Sequence, residues 1–225
     1  PPVAAPSPAQ PAGYVFNVEK LLDATEVKDQ GRTGTCWSFA TASFLESELI
    51  RTGGPALNLS EMFIVRGIYQ AKARNFLLRQ GKTSFGEGAL AHDYVNSVAR
   101  FGVVPEEAFA GNRDPGSGEH NHSELEAGLK GMLEALAERG ELSANWPAAV
   151  SGVLDAYVGK APERFTWQGK SFSPEEFRDH LGLHPENYVN LTSYAHHPFG
   201  QPFVLEIPDN FSSGAFLNLP IDDIV

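Results

Sequence analysis

One cysteine in 225 residues leaves no room for an intrachain disulfide framework, so packing has to hold this chain together. Basic side chains are also scarce: 17 Lys and Arg stand against 28 Asp and Glu, a formal net charge of -11. That balance repels phosphate backbones and anionic lipid, which excludes nucleic acid as an expected partner. No run approaches the roughly eighteen uninterrupted apolar residues of a bilayer-spanning helix, so a membrane span is excluded as well. Internal repeats are lacking. Low complexity is confined to residues 1–13 (PPVAAPSPAQPAG), a Pro- and Ala-rich linker without the basic start and apolar centre of a signal peptide.

What is present suits a globular chain, with 42% hydrophobic residues and enough length to bury a core. Gln30–Thr35 (QGRTGT) is too rich in glycine and small polar residues to sustain a helix and reads as a loop. From Cys36 the pattern turns helical: Trp37, Ala40 and Phe44 share a face that Leu45 and Leu49 widen, until Gly53, Gly54 and Pro55 stop it. Ser60 and Glu61 start a second helix through Phe76 and Leu77 that Gly81 closes, and a third runs from about Ala89 to Phe101 before Gly102. After a Gly-, Asp- and Pro-rich excursion at 112–122, Ser123 and Glu126 form a capping box for a further helix. Ser173, Pro174 and Glu176 repeat the start signal. Strand character is expected only late, at 188–194 and 203–207, around a turn at 196–202.

Chemistry gathers at the first helix. A thiol attacks a carbonyl as its thiolate, and the unpaired N–H groups and macrodipole at a helix start favour that anion. Cys36 falls at such a start, after glycines that let the backbone approach a substrate closely. Gln30 offers a side-chain amide that could donate to the oxyanion of a tetrahedral intermediate beside the Cys36 N–H. A lone cysteine is ordinarily a small buried hydrophobe, and only the flanking residues argue for reactivity.

Those flanks, Val27 to Ala40 (VKDQGRTGTCWSFA), resemble the active-site segment of papain-like cysteine peptidases: the glutamine, the glycine two before the cysteine and the aromatic after it are in register. The papain and cathepsin signature C-G-[SA]-C-[WY] is departed from at two positions, Thr33 for its first cysteine and Thr35 for the small residue. The disulfide common in secreted relatives therefore cannot form, which moves the resemblance toward the bleomycin hydrolase and aminopeptidase C branch. Leu59-Ser60-Glu61 is similar to the start of the family's second helix, and Leu191 to Phe199 followed by Phe203 to Asn210 looks like a stretch of bacterial members of that branch.

The resemblance implies an α+β, papain-like fold: a left lobe with the nucleophile helix at 14–111, a helical insertion at 112–187, and the opening strands of a β-rich right lobe at 188–225. It implies Cys36 as nucleophile and Gln30 as oxyanion donor, with Gly86, Glu87 and Gly88 lining the groove for the substrate backbone. Trp37 is read chiefly as core and also as an edge of that substrate site. No cofactor is implied. Peptide is the expected substrate, and the branch's ring assemblies put a homo-oligomer among the implied partners. The compartment, cytoplasmic or exported, is left open.

A cysteine peptidase also needs a base and a group that orients it. His180 and His184 sit at the formal spacing from Cys36, but one ends a capped helix and the other precedes Pro185. No histidine is followed by an Asn-Ser-Trp-like turn, so the catalytic His and Asn are expected beyond Val225, in a missing C-terminal half. The competing expectation is a papain-fold scaffold that has lost catalysis. No metal site is expected, because His196 and His197, adjacent on a strand edge, would point to opposite faces. His120, His122, Glu106-Glu107 and Asp222-Asp223 read as solvated surface.

Overall fold

The computed structural model describes residues 16–205 and 211–225; the linker read at 1–13 and the strand residues after 205 lie outside them. The chain begins in irregular structure and then forms helices α1 (Cys36–Arg51), α2 (Glu61–Leu78), α3 (Ala91–Phe101), α4 (Ser123–Glu138) and α5 (Trp146–Tyr157). A short hairpin, β1 (Phe165–Trp167) and β2 (Lys170–Phe172), leads into α6 (Pro174–His180). A three-stranded sheet follows, from β3 (Leu191–Thr192), β4 (Gln201–Val204) and β5 (Ala215–Asn218) in the order β3-β5-β4. In it β3 runs parallel and β4 antiparallel to β5. This is the expected α+β arrangement, helical first and β-rich at the end.

Helix α2 is the hub, packed against α1, α3, α4 and α5. A helix contacted on so many sides must be apolar nearly all round, and Met62, Ile64, Val65, Ile68, Ala73 and Phe76 are all buried. Ser60 caps it as expected, its hydroxyl accepting from the Phe63 N–H at 3.1 Å. The start read at Ser173 also holds: its hydroxyl accepts from the Glu176 N–H while Glu176 accepts from the Ser173 N–H.

Several expectations are corrected. On α1 the buried face is Trp37, Thr41, Ala42, Leu45 and Leu49, whereas Ala40 is exposed and Phe44 is 50% exposed. The stripe follows the helix one position on, because Thr41 satisfies its hydroxyl on the Trp37 carbonyl and can therefore be buried. Ser123 does not cap α4: the cap position is His122, and the Ser123 hydroxyl turns back to Asn121. Helix α5 was not singled out, and strand structure is not confined to the end, since β1 and β2 close over Phe177 in an aromatic cluster with Trp167, Phe172 and His180. His120 and His122 are buried, at 3% and 1% exposure, rather than solvated. Asp222 and Asp223 are exposed as read.

Candidate active site

The loop before α1 is held from three directions. Within it, the Gln30 amide donates to the Thr33 carbonyl at 2.6 Å, and the Thr33 hydroxyl donates to the Gln30 carbonyl at 2.9 Å. The Thr33 and Thr35 hydroxyls lie 2.5 Å apart, so the two threonines that replace the signature's cysteine and small residue form a local hydrogen-bonded knot. On one flank the Arg32 N–H donates to the His120 carbonyl at 2.7 Å and the His122 N–H to the Arg32 carbonyl at 3.3 Å, a parallel bridge between Arg32 and Asn121. Gly31 permits this approach: its φ is +62°, and a Cβ there would lie 2.6 Å from the His120 carbonyl oxygen.

The second hold is ionic. Lys28, two residues before Gln30, places its ammonium 2.5 Å from Glu46 of α1 and 2.9 Å from Glu61 of α2, both carboxylates almost wholly buried. Glu46 also accepts from the Leu59 N–H at 2.7 Å and from the Thr25 hydroxyl. Burial pushes the Glu61 carboxyl up, with the hydrogen bond to Lys28 opposing.

Glu106, read as surface, belongs to the same charged interior. One of its oxygens is buried without a hydrogen-bond partner, and burial, helped by the Glu61 charge, pushes its carboxyl up to about 7. A raised carboxyl favours the folded state while protonated. That contribution is complete below the ordinary value of 4.5 and is lost as pH rises through about 7. Glu106→Gln is therefore expected to gain stability relative to wild type as the pH is raised from 4.5 to about 7, and to keep that gain above it. Urea midpoints measured as a pH series check this, and a constant difference between the two proteins counts against it.

The third hold comes from the segment 86–88. Lys72 of α2 donates to the Gly86 carbonyl at 2.8 Å and to that of Gly88, the Trp37 indole N–H donates to the Glu87 carbonyl at 3.0 Å, and the Gly34 N–H donates to the Glu87 carboxyl. Gly86, Glu87 and Gly88 are thus brought against the loop that carries Cys36. Trp37 is 7% exposed and reaches the segment through its indole nitrogen, so it is a support beneath the segment as much as an edge.

Cys36 is the first residue of α1 and is exposed. Gln30 is half-buried, and among the described residues its second amide hydrogen is not engaged. No described side chain hydrogen-bonds the Cys36 sulfur. All seven histidines are placed elsewhere: His92 beside Asp93 and Phe216, His120 on the Asn112 carbonyl, His122 edge-on to Tyr69, His180 among Trp167, Phe172 and Phe177, His184 by Glu186. His196 and His197 sit in a turn with ring centroids 4.5 Å apart, not on opposite faces of a strand. Burial depresses His122 to about 4, so it is neutral at physiological pH. Among the described residues no group of three or more His, Cys, Asp or Glu is arranged to hold a metal ion, and no helix is long and apolar enough to cross a membrane.

Residues 16–99 match the family model described as papain family cysteine protease. This chain carries a papain-family segment on a papain-like fold. PepW from Lactobacillus rhamnosis HN001 superposes with a TM-score of 0.69 over 90% of this chain and 55% of that one, at 17% sequence identity. Viral cathepsins from Autographa californica nuclear polyhedrosis virus and Bombyx mori nuclear polyhedrosis virus are 40% identical over 50 residues, 22% of this chain and 16% of theirs. The chain thus spans about half of the PepW chain, and its aligned stretch a sixth or so of the cathepsins.

Sequence reading missed two contributors to this papain-like site. Lys72 lies inside an apolar helix with nothing local to mark it. Glu126 reads as part of a helix cap, yet it lies against the 86–88 segment, its Oε1 3.1 Å from where a Gly86 Cβ would stand. Each partner is far away along the chain, which no spacing rule reaches.

Proposed function

We propose that the protein is a cysteine peptidase in which Cys36 is the nucleophile. The observation that carries this is an exposed cysteine at the first position of a buried helix, beside a loop that holds the Gln30 amide. In the proposed reaction the Cys36 thiolate bonds to the scissile carbonyl carbon, and the carbonyl π pair moves to oxygen, where the Cys36 N–H and the free Gln30 amide hydrogen receive it. Collapse breaks the C–N bond as an imidazolium protonates the leaving amine. Water then hydrolyses the thioester and returns the thiol.

The imidazole is supplied by a histidine outside these 225 residues, oriented by an asparagine there, since each histidine here is placed away from Cys36. The 225 residues alone are accordingly not expected to turn over peptide. The finer reading is aminopeptidase-like trimming in the bleomycin hydrolase and aminopeptidase C manner; the altered cysteine signature at Thr33 and the fold likeness to PepW support it.

A peptidyl epoxide offered to the intact protein tests the core claim. Labelling on Cys36 that vanishes in Cys36→Ala is the expected result, and equal labelling of both proteins sinks it. The lack of any histidine at Cys36 is what favours the second reading, a papain-fold scaffold without catalysis. Under that reading the intact protein binds peptides but neither reacts with the epoxide nor hydrolyses them.

A further inference from the structure

We propose that Glu87 is a positioning residue whose carboxyl ties the nucleophile loop at Gly34 to the 86–88 segment. The proposal rests on the peptidase reading only in taking Cys36 as the group whose setting matters.

Glu87 makes contacts that a solvated loop carboxylate does not. Its Oε2 accepts the Gly34 N–H, two residues before Cys36, and its own carbonyl takes the Trp37 indole N–H, one residue after it. The chain on both sides of the nucleophile is therefore fastened to one residue. The approach is tight: a Cβ on Gly34 would sit 3.0 Å from the Glu87 Cβ and 3.3 Å from Oε2. The segment itself cannot swing away, because Lys72 holds the carbonyls on either side of Glu87.

Glu126 of α4 stands on the other side of the segment: its Oε1 would lie 3.1 Å from a Cβ built on Gly86. Burial raises the Glu87 carboxyl, and the Gly34 N–H opposes the rise because it favours the carboxylate that accepts it.

Glutamine tests this cleanly because it keeps the acceptor: its carbonyl oxygen can accept from the Gly34 N–H as the Glu87 Oε2 does. Two measurements on the intact protein decide the matter, each on wild type, Glu87→Gln and Glu87→Ala. The first is hydrogen exchange in the 30–36 segment, taken as the ratio of variant to wild type at each pH. The second is the rate of Cys36 inactivation by a peptidyl epoxide, divided by its rate with iodoacetamide, a reagent too small to need the groove.

Glu87→Ala is expected to lose protection in 30–36 and to lower the epoxide-to-iodoacetamide ratio about tenfold, the order that follows a small misplacement of a reacting group. In Glu87→Gln both stay near wild type. A loss in Glu87→Gln as large as in Glu87→Ala, or unchanged exchange in Glu87→Ala, overturns the proposal. If the epoxide leaves wild type untouched at every pH, the peptidase reading fails and exchange alone judges the tie.

Discussion

Lys28→Met is expected to lower the unfolding free energy by about 3–5 kcal/mol, the usual cost of stranding a buried charge by removing its partner. Lys28 stands between Glu46 and Glu61, whose side chains are 0% and 3% exposed, so both lose the same ammonium at once. Burial opposes the Lys28 charge, but the hydrogen bonds to the two carboxylates more than offset it and hold the ammonium above its ordinary value. The sign follows: a raised base contributes stability that is fully present below its ordinary value and is lost as pH climbs through the raised one. The Lys28 ammonium is thus charged over the whole neutral range. Urea unfolding measures the loss, and adding Glu46→Gln to Lys28→Met should recover part of it. A loss below about 1 kcal/mol would mean the pair behaves as an exposed one.

Gly102→Ala is expected to cost about 3 kcal/mol or more, because strain in the backbone and overpacking add at one atom. Gly102 ends α3 at φ +75°, ψ -158°, a conformation that side chains rarely take. A Cβ there would lie 2.1 Å from the Pro174 carbonyl carbon and 2.4 Å from the Glu175 nitrogen. Those are backbone atoms of the first turn of α6, fixed by its cap and by the Val103 N–H donating to the Pro174 carbonyl at 3.1 Å. The clash cannot be relieved by turning a side chain. Thermal unfolding should show the drop, with α6 and the β1-β2 hairpin lifted from α3, and a shift of only a degree or two would contradict this account.

Local signals carried the helices and failed where distance took over. Cys36 after a glycine-bearing loop, Ser60 before Glu61, and Ser173-Pro174 before Glu176 each fix a helix start within a few residues, and all three starts are where the residues place them. The 165–172 hairpin escaped because its strands are three residues each and owe their stability to rings packed on Phe177, not to alternation. Glu106 and His122 look like ordinary surface residues until the chain folds over them; nothing in a window of ten residues says that α2 will cover His122 with Tyr69. Of the candidate site, the sequence marks Cys36 at its helix start and Gln30 in the loop before it, and the structure leaves the first exposed and the second half-buried. The site's supports are not marked, since Lys72 acts through the 86–88 segment and the 120–122 edge meets the loop from about 90 residues downstream.

The bridge between Arg32 and Asn121 imposes an order on assembly. Helix α1 can coil as soon as it leaves the ribosome, but the turn in front of it stays without its flanking ladder until translation has passed His122. A nascent chain halted in α3 would hold that turn by the Lys28 pairs and the 86–88 segment alone, with the flank that 120–122 later covers still open.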